Sequence, residues 1–173
     1  MKIVEARVHG LVFEQKSQQH VVVLREVEGP RVLPIWIGPG EAMAIQRLVT
    51  ETPFPRPLTH DLIALVIEGL KARVVRVVIS DLREGTFYAS LLVERDKSVL
   101  SVDARPSDSI AVALRAKAPI FVNEELLQPP EQEREAEAAP EEPPAPPSAE
   151  DQAEQLRRFL ERLNPEDFGK FQM

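Results

Sequence analysis

A strand, a corner and a helix start follow one another in Ser98-Val99-Leu100-Ser101-Val102-Asp103-Ala104-Arg105-Pro106-Ser107-Asp108-Ser109-Ile110-Ala111. The valine and leucine content of residues 98–103 predicts a β-strand. Pro106 fits the first position of a helix, where its missing N–H costs nothing. We expect this helix to cover about residues 106–117, because Ala118-Pro119 then forces an exit into a strand at residues 120–122.

A similar helix start occurs earlier, at Arg56-Pro57-Leu58-Thr59-His60-Asp61. Thr59 is a natural N-cap for a helix that runs to about Leu70. A helix N-terminus favours negative charge, because it has unsatisfied N–H groups and the positive end of the helix dipole. Each corner therefore has two interpretations. Its polar residues either cap the helix, which is the commoner reason for them, or form part of a site.

The remaining pattern predicts strands joined mainly as hairpins. The Gly38-Pro39-Gly40 break precedes a helix with Glu41 in its first turn, and Gly85 supplies a hairpin turn. This order of elements predicts an α+β domain with a mixed, mainly antiparallel sheet and three helices. We assign the domain to residues 1–127. The other predicted strands cover residues 2–13, 21–26, 31–37, 73–82 and 86–94, and the first helix covers residues 41–49.

Two segments of different composition follow this domain. Residues 128–150 contain seven prolines and seven glutamates, which predicts a disordered, extended linker. Residues 151–173 predict a short amphipathic helix, because Leu156, Phe159, Leu160 and Leu163 recur at helical spacing. This helix either docks on its own domain or a dimer mate, or holds a separate protein partner.

Composition and charge limit the class of protein. The chain has no cysteine, which excludes disulfides, thiolate zinc sites and cysteine nucleophiles. No segment has the length of a membrane span, so we expect a soluble, cytoplasmic protein with no membrane partner. Residues 1–127 hold 16 basic and 16 acidic residues, and the net charge of −7 comes from the rest. The domain therefore lacks the basic excess of a general nucleic-acid binder.

The later corner offers groups that suit phosphate chemistry. We expect Asp103 and Asp108 to lie close together across the turn, as two hard oxygen ligands for Mg²⁺ or Mn²⁺. Arg105 would then bind a phosphate through two parallel hydrogen bonds. Capping by Ser107 or Asp108 is the alternative that this stretch leaves open.

The earlier corner adds a possible proton-transfer group. His60 is a candidate general acid or base, Asp61 a candidate carboxylate and Arg56 a candidate phosphate-binding cation within one turn. Glu41 is a further candidate for the same site, although stabilisation by the helix dipole explains an acid at that position.

Trp36 is the chain's only tryptophan, in Leu33-Pro34-Ile35-Trp36-Ile37-Gly38. We expect a buried core aromatic here and not a base-stacking platform, because no basic residue interleaves with it. His9 and His20 lie in predicted strands without an acidic neighbour of clear purpose, so we expect structural roles for both.

Three blocks of sequence together resemble the bifunctional nuclease family. They are Leu33–Gly38 with Glu41-Ala42, Arg56–Asp61, and Val102–Asp108 leading to Ala118–Val122. The resemblance covers residues 1 to about 127. It implies a compact α+β domain, a homo-oligomer, and the DNase and RNase activity attributed to plant members.

Two functions follow as hypotheses. The first is a divalent-metal-assisted phosphodiesterase acting on DNA and RNA. The second is a non-catalytic, self-associating module that binds an anion or a protein and carries a tethered partner-docking helix. For the first, the resemblance marks these candidates: catalytic Asp103, Asp108, His60 and Asp61; phosphate-binding Arg56 and Arg105; and Mg²⁺ or Mn²⁺ ligands Asp103, Asp108, Asp61 and Glu41.

Overall fold

The computed structural model describes residues 1–15 and 18–130. The predicted helix at residues 151–173 and most of the predicted linker lie outside this part of the chain. The described residues form seven strands, three α-helices and one short 3-10 helix. They are β1 (Ile3–Glu14), β2 (Gln19–Glu26), β3 (Val32–Ile37), α1 (Pro39–Val49), α2 (Thr59–Gly69), β4 (Arg73–Arg83), β5 (Thr86–Arg95), β6 (Ser98–Ala104), α3 (Pro106–Ala116), β7 (Ile120–Asn123) and the 3-10 helix Glu124–Leu126.

The seven strands form one sheet, in the order β3-β2-β1-β7-β4-β5-β6. Strands β4 and β7 run parallel, and the other neighbouring pairs are antiparallel. A parallel pair requires a crossover connection, and the chain between β4 and β7 contains α3. The predicted α+β class with a mixed, mainly antiparallel sheet is therefore confirmed.

The hydrophobic core lies between the sheet and α3. Ile110 and Ala111 of α3 are fully buried against Val77 and Ile79 of β4 and Val22 of β2. Helix α3 also contacts both other helices. Because α3 packs beside both α1 and α2, side chains near the ends of all three helices come into contact. Within the described residues, no helix is long and apolar enough to cross a membrane.

The prediction that Trp36 is buried in the core is wrong. Trp36 is 51% exposed, whereas Leu33 and Ile35 of the same strand are buried. Successive side chains of a strand point to opposite faces of the sheet. Leu33 and Ile35 take the core face, so Trp36 lies on the other face, in a strand at the sheet edge.

The starts of α2 and α3 differ in capping: Asp61 accepts from the N-cap backbone N–H of α2, whereas no side chain caps α3. Helix α2 begins at Thr59 with Leu58 as its N-cap residue, so the prediction of Thr59 as N-cap is wrong by one position. Helix α3 begins at Pro106 as predicted, and its N-cap residue is Arg105. Ser107 and Asp108 lie inside the helix and neither is the N-cap. Their side chains are therefore available for other contacts.

Candidate functional site

The first turns of the three helices are joined by one group of charged side chains. Arg105 donates from Nη2 to Oε1 of Glu41 at 2.9 Å, and from Nε to Oδ2 of Asp108 at 2.7 Å. The Nε2 atom of His60 lies 3.0 Å from Oδ1 of Asp108. We call these four residues the Arg105 cluster. It combines candidates from both corners with Glu41 of α1.

The four side chains of the cluster differ in their exposure to solvent. The side chain of Arg105 is 67% exposed, those of Asp108 and Glu41 are 30% and 22% exposed, and that of His60 is 12% exposed. The positive ends of three helix dipoles meet here and stabilise the Glu41 and Asp108 carboxylates, which Arg105 also contacts. An anion in solvent therefore reaches Arg105 first and has His60 behind it.

Asp108 fixes the orientation of His60. Partial burial raises the pKa of Asp108, but the hydrogen bonds from Arg105 and His60 outweigh it and hold this pKa below its usual value. The carboxylate is therefore ionised near neutral pH and accepts a hydrogen bond from Nε2–H of His60. In this tautomer Nδ1 of His60 is a proton acceptor. An imidazole held in this way can act as a general base.

Arg105 keeps donors for a ligand. A guanidinium has five N–H donors, and Arg105 uses three of them, one from Nε and two from Nη2, on Asp108 and Glu41. Within the described part of the chain, this leaves the two N–H groups of Nη1 for a phosphate oxygen.

Asp61 belongs to a separate, buried network. Its Oδ2 atom accepts from Arg47 at 2.8 Å and from the Leu58 backbone at 2.9 Å, and Arg115 lies 3.1 Å from Oδ1. Burial raises the pKa of Asp61, but these donors outweigh it and lower the pKa overall. Since Arg47 and Arg115 come from the last turns of α1 and α3, Asp61 ties the three helices together.

Arg47 and Arg115 were not among the sequence candidates. Each is a basic residue in the last turn of a helix, where the dipole already favours a positive charge. The available signal was an acid in the first turn of α2 with no basic residue three or four positions away. It indicated that Asp61 needed partners from elsewhere.

Two further candidates lie apart from the Arg105 cluster. Asp103 pairs with Ser90, which alternates with the buried Ala89 and Leu91 of β5. Directly paired residues share a sheet face, so Asp103 lies on the face away from the helices. Arg56 is exposed between α1 and α2, and in the described residues no hydrogen bond or ion pair joins it to the cluster. The catalytic, phosphate-binding and metal roles of these residues and of Asp61 stay predictions.

A metal site made of protein groups alone requires several ligand side chains close together. The described residues contain no group of three or more His, Asp or Glu side chains arranged to hold a metal ion. Asp108 and Glu41 are the carboxylates of the Arg105 cluster, and both already accept from Arg105.

A family model described as the bifunctional nuclease domain matches residues 22–135. The match covers more than half of the chain and includes every member of the Arg105 cluster. The chain belongs to the bifunctional nuclease domain family.

Bacterial and plant relatives differ in how much of their own length the chain matches. An uncharacterized protein of Mycobacterium tuberculosis strain H37Rv is 45% identical over 170 residues, which is 95% of this chain and 97% of the relative. Bifunctional nuclease 1 of Oryza sativa subsp. japonica is 24% identical over 71% of this chain and 38% of its own length. Bifunctional nuclease 2 of Arabidopsis thaliana is 32% identical over 61% of this chain and 33% of its own length. The similarity to the plant nucleases is thus distant and covers about a third of those proteins.

Proposed function

We propose that the chain is a phosphodiesterase that cleaves DNA and RNA, with the Arg105 cluster as its active site. Family membership supports the reaction class. The observation that carries the assignment is the shared carboxylate of Asp108, which contacts both the phosphate-binding candidate Arg105 and the base candidate His60.

Arg105 is the phosphate-binding group. Its Nη1 atom can donate two hydrogen bonds to the oxygens of a phosphodiester, and the three helix N-termini add a favourable field. Glu41 and Asp108 hold the guanidinium in place before the substrate arrives. Preorganised charge of this kind stabilises the developing negative charge in the transition state without reorganisation.

His60 is the general base. Its Nδ1 atom accepts a proton from a water molecule as the water oxygen bonds to phosphorus and the bond to the leaving oxygen breaks. The leaving oxygen takes its proton from solvent, and His60 returns its own proton to solvent. Asp108 keeps the imidazole in the required tautomer and stabilises the imidazolium that forms. A positioned base of this type contributes about 10²- to 10⁴-fold in rate.

We include assistance by Mg²⁺ or Mn²⁺ in the proposal, but we assign no step of the reaction to the metal. Magnesium is commonly held by one or two carboxylates together with water and substrate phosphate, and a bound metal would neutralise phosphate charge. The described residues do not form a metal site of three or more ligands. The proton transfer and phosphate binding proposed above therefore use only the protein's own groups, and metal dependence is measured separately.

A non-catalytic, self-associating module is the second candidate function. Exposed apolar residues on α2 favour it, because contiguous apolar surface often marks an interface. Arg105 would then bind an anion without cleavage. The exposed apolar residues of α2 are Leu62, Ile63, Leu65 and Val66, with Leu70 just beyond its end.

Cleavage of short DNA and RNA single strands by the full chain tests the first candidate. We compare the wild type with Asp108→Asn and with Asp96→Asn, which changes an exposed acid in the β5–β6 turn. We expect Asp108→Asn to lose about a hundredfold in rate and Asp96→Asn to lose nothing. Each protein is assayed with Mg²⁺, with Mn²⁺ and with a chelator. An Asp108→Asn rate equal to the wild-type rate would assign the activity to another site or a contaminant.

A further inference from the structure

A cavity lies beside the start of α1. It has a volume of about 550 Å³ and is bordered by strand ends of β1, β2 and β3. Phe13 and Trp36, which border it, are 48% and 51% exposed. Large aromatic side chains are normally buried, so two half-exposed ones at one cavity require an explanation. The other bordering residues are Gln18, Gln19, His20, Ile37, Gly38 and Pro39.

The lining is aromatic and almost uncharged. Phe13, His20 and Ile37 lie in one row across β1, β2 and β3. This row is on the core face, whereas Trp36 lies on the other face and borders the cavity at the sheet edge. The rings of Phe13 and His20 are 5.0 Å apart with an interplanar angle of 57°, a tilted aromatic pair. Among the described residues that line the cavity there is no Lys, Arg, Asp or Glu, and the Glu14 carboxylate next to it accepts from Nε1 of Trp36 at 3.4 Å. Such a lining suits a flat, neutral ring, and the neighbouring glutamine amides suit a ring with polar edges.

The cavity shares one turn of chain with the Arg105 cluster. Gly38 and Pro39 form part of its wall, and Gly38 is the N-cap residue of α1. The Glu41 carboxylate folds back onto this turn, where a β-carbon at Gly38 would collide with it. The same carboxylate accepts from Arg105. A ligand that binds a phosphate at Arg105 therefore has the aromatic cavity on the other side of the turn.

We propose that this cavity binds a nucleobase of single-stranded nucleic acid, with aromatic contacts centred on Phe13. The inference rests on the proposed function, which supplies the phosphate at Arg105. Bases stack on aromatic side chains with little sequence preference, because every base has a π-face. A base inside a duplex is stacked on its neighbours and cannot enter such a cavity, so the substrate class is single-stranded.

Trp36 provides a direct reporter, because it is the only tryptophan in the chain and borders the cavity. We titrate the full-length protein with adenosine and, separately, with ribose 5-phosphate, which has a phosphate but no base. Free N-acetyltryptophanamide corrects for absorption by adenosine. We expect saturable quenching by adenosine and none by ribose 5-phosphate. Absence of saturable quenching by adenosine would overturn the proposal.

Phe13 variants test the aromatic contact while Trp36 stays in place. Phe13→Ala and Phe13→Leu should weaken adenosine binding by roughly five- to a hundredfold, because both remove the ring. Phe13→Leu keeps apolar volume if the alanine variant does not fold. Val12→Ala is the matched control, since Val12 is 54% exposed on the same strand and does not line the cavity. Unchanged affinity in Phe13→Leu would overturn the proposal.

Binding is measured without turnover, so this inference and the proposed function can fail separately. Adenosine binding that depends on Phe13, in a protein that does not cleave nucleic acid, supports the base site and rejects the phosphodiesterase. Cleavage that depends on Asp108, in a protein that does not bind adenosine, rejects the base site and supports the phosphodiesterase.

Discussion

The Nε2 atom of His60 lies 3.0 Å from Oδ1 of Asp108, which joins the first turn of α2 to the first turn of α3. The same carboxylate accepts from Arg105. Two stretches of similar sequence, 48 positions apart at these residues, thus meet at one acid. Their convergence gives a histidine, an ionised carboxylate and an arginine within contact distance, the groups that the proposed proton transfer and phosphate binding use.

Arg105→Lys should weaken substrate binding more than it slows the chemical step. Lysine keeps the charge but lacks the planar fork that binds two phosphate oxygens. We expect KM for a single-stranded oligonucleotide to rise about tenfold, with a smaller fall in kcat. Steady-state kinetics measures both. Arg95→Lys, at the exposed end of β5, is the control and should leave KM unchanged. An unchanged KM in Arg105→Lys would remove Arg105 from the phosphate site.

Glu41→Gln separates two roles that the same carboxylate could have. If Glu41 only holds Arg105, glutamine can still accept from the guanidinium but no longer repels an anion beside it, so inorganic phosphate should inhibit several-fold more tightly. If Glu41 is a metal ligand, the variant should instead need more Mg²⁺ or Mn²⁺ for half-maximal cleavage. Phosphate inhibition and metal titration distinguish these results. We expect the first.

Asp61→Asn should destabilise the fold. Removing one partner of a buried ion pair leaves Arg47 and Arg115 without their shared carboxylate, at a cost of about 3 kcal/mol in the free energy of unfolding. The pKa of Asp61 is lowered in the folded state. Its stabilising contribution is therefore present above about pH 4 and lost as the pH falls through the folded-state pKa.

Chemical unfolding of both proteins between pH 7 and pH 2 tests this role of Asp61. The difference in unfolding free energy should be largest at pH 7 and shrink in acid. Equal stability at pH 7 would mean that the network around Asp61 does not hold the helices together. Lost cleavage at full stability would favour the catalytic role that the sequence predicted for Asp61.

Asp103→Asn should change cleavage by less than about twofold, the scale of an exposed substitution away from special features. Asp103 is exposed on the sheet face away from the helices. A sequence-based role as catalytic group or Mg²⁺ ligand predicts instead a large loss that extra metal partly restores. Rates of the variant across a range of metal concentrations decide between the two.

Local patterns predicted the elements well. Valine-rich runs, the Gly85 turn and the Pro106 helix start predicted every strand and α-helix of the described domain within about two residues, but not the 3-10 helix. These signals are local, because turn residues and apolar periodicity act over a few neighbours. Long-range pairing such as that of β4 with β7 cannot be predicted from the local sequence of either strand.

The candidate site was predictable in composition but not in arrangement. The sequence identified all four members of the Arg105 cluster. Their mutual contacts depend on how α3 packs against α1 and α2. The pairing register of β6 puts Asp103 on the sheet face away from Asp108, and a shift of one residue would put it on the other face. Local sequence near Trp36 did not reveal which face of β3 packs against the core, which explains the wrong prediction of burial.

Cleavage of a single-stranded oligonucleotide by His60→Ala, with and without added imidazole, tests the central claim most directly. We predict a rate about a hundredfold below the wild type, because the general base is gone. Free imidazole should restore part of that rate by accepting the proton in the vacated space, which it cannot do for a contaminating nuclease. A His60→Ala protein that cleaves at the wild-type rate would contradict the proposed active site.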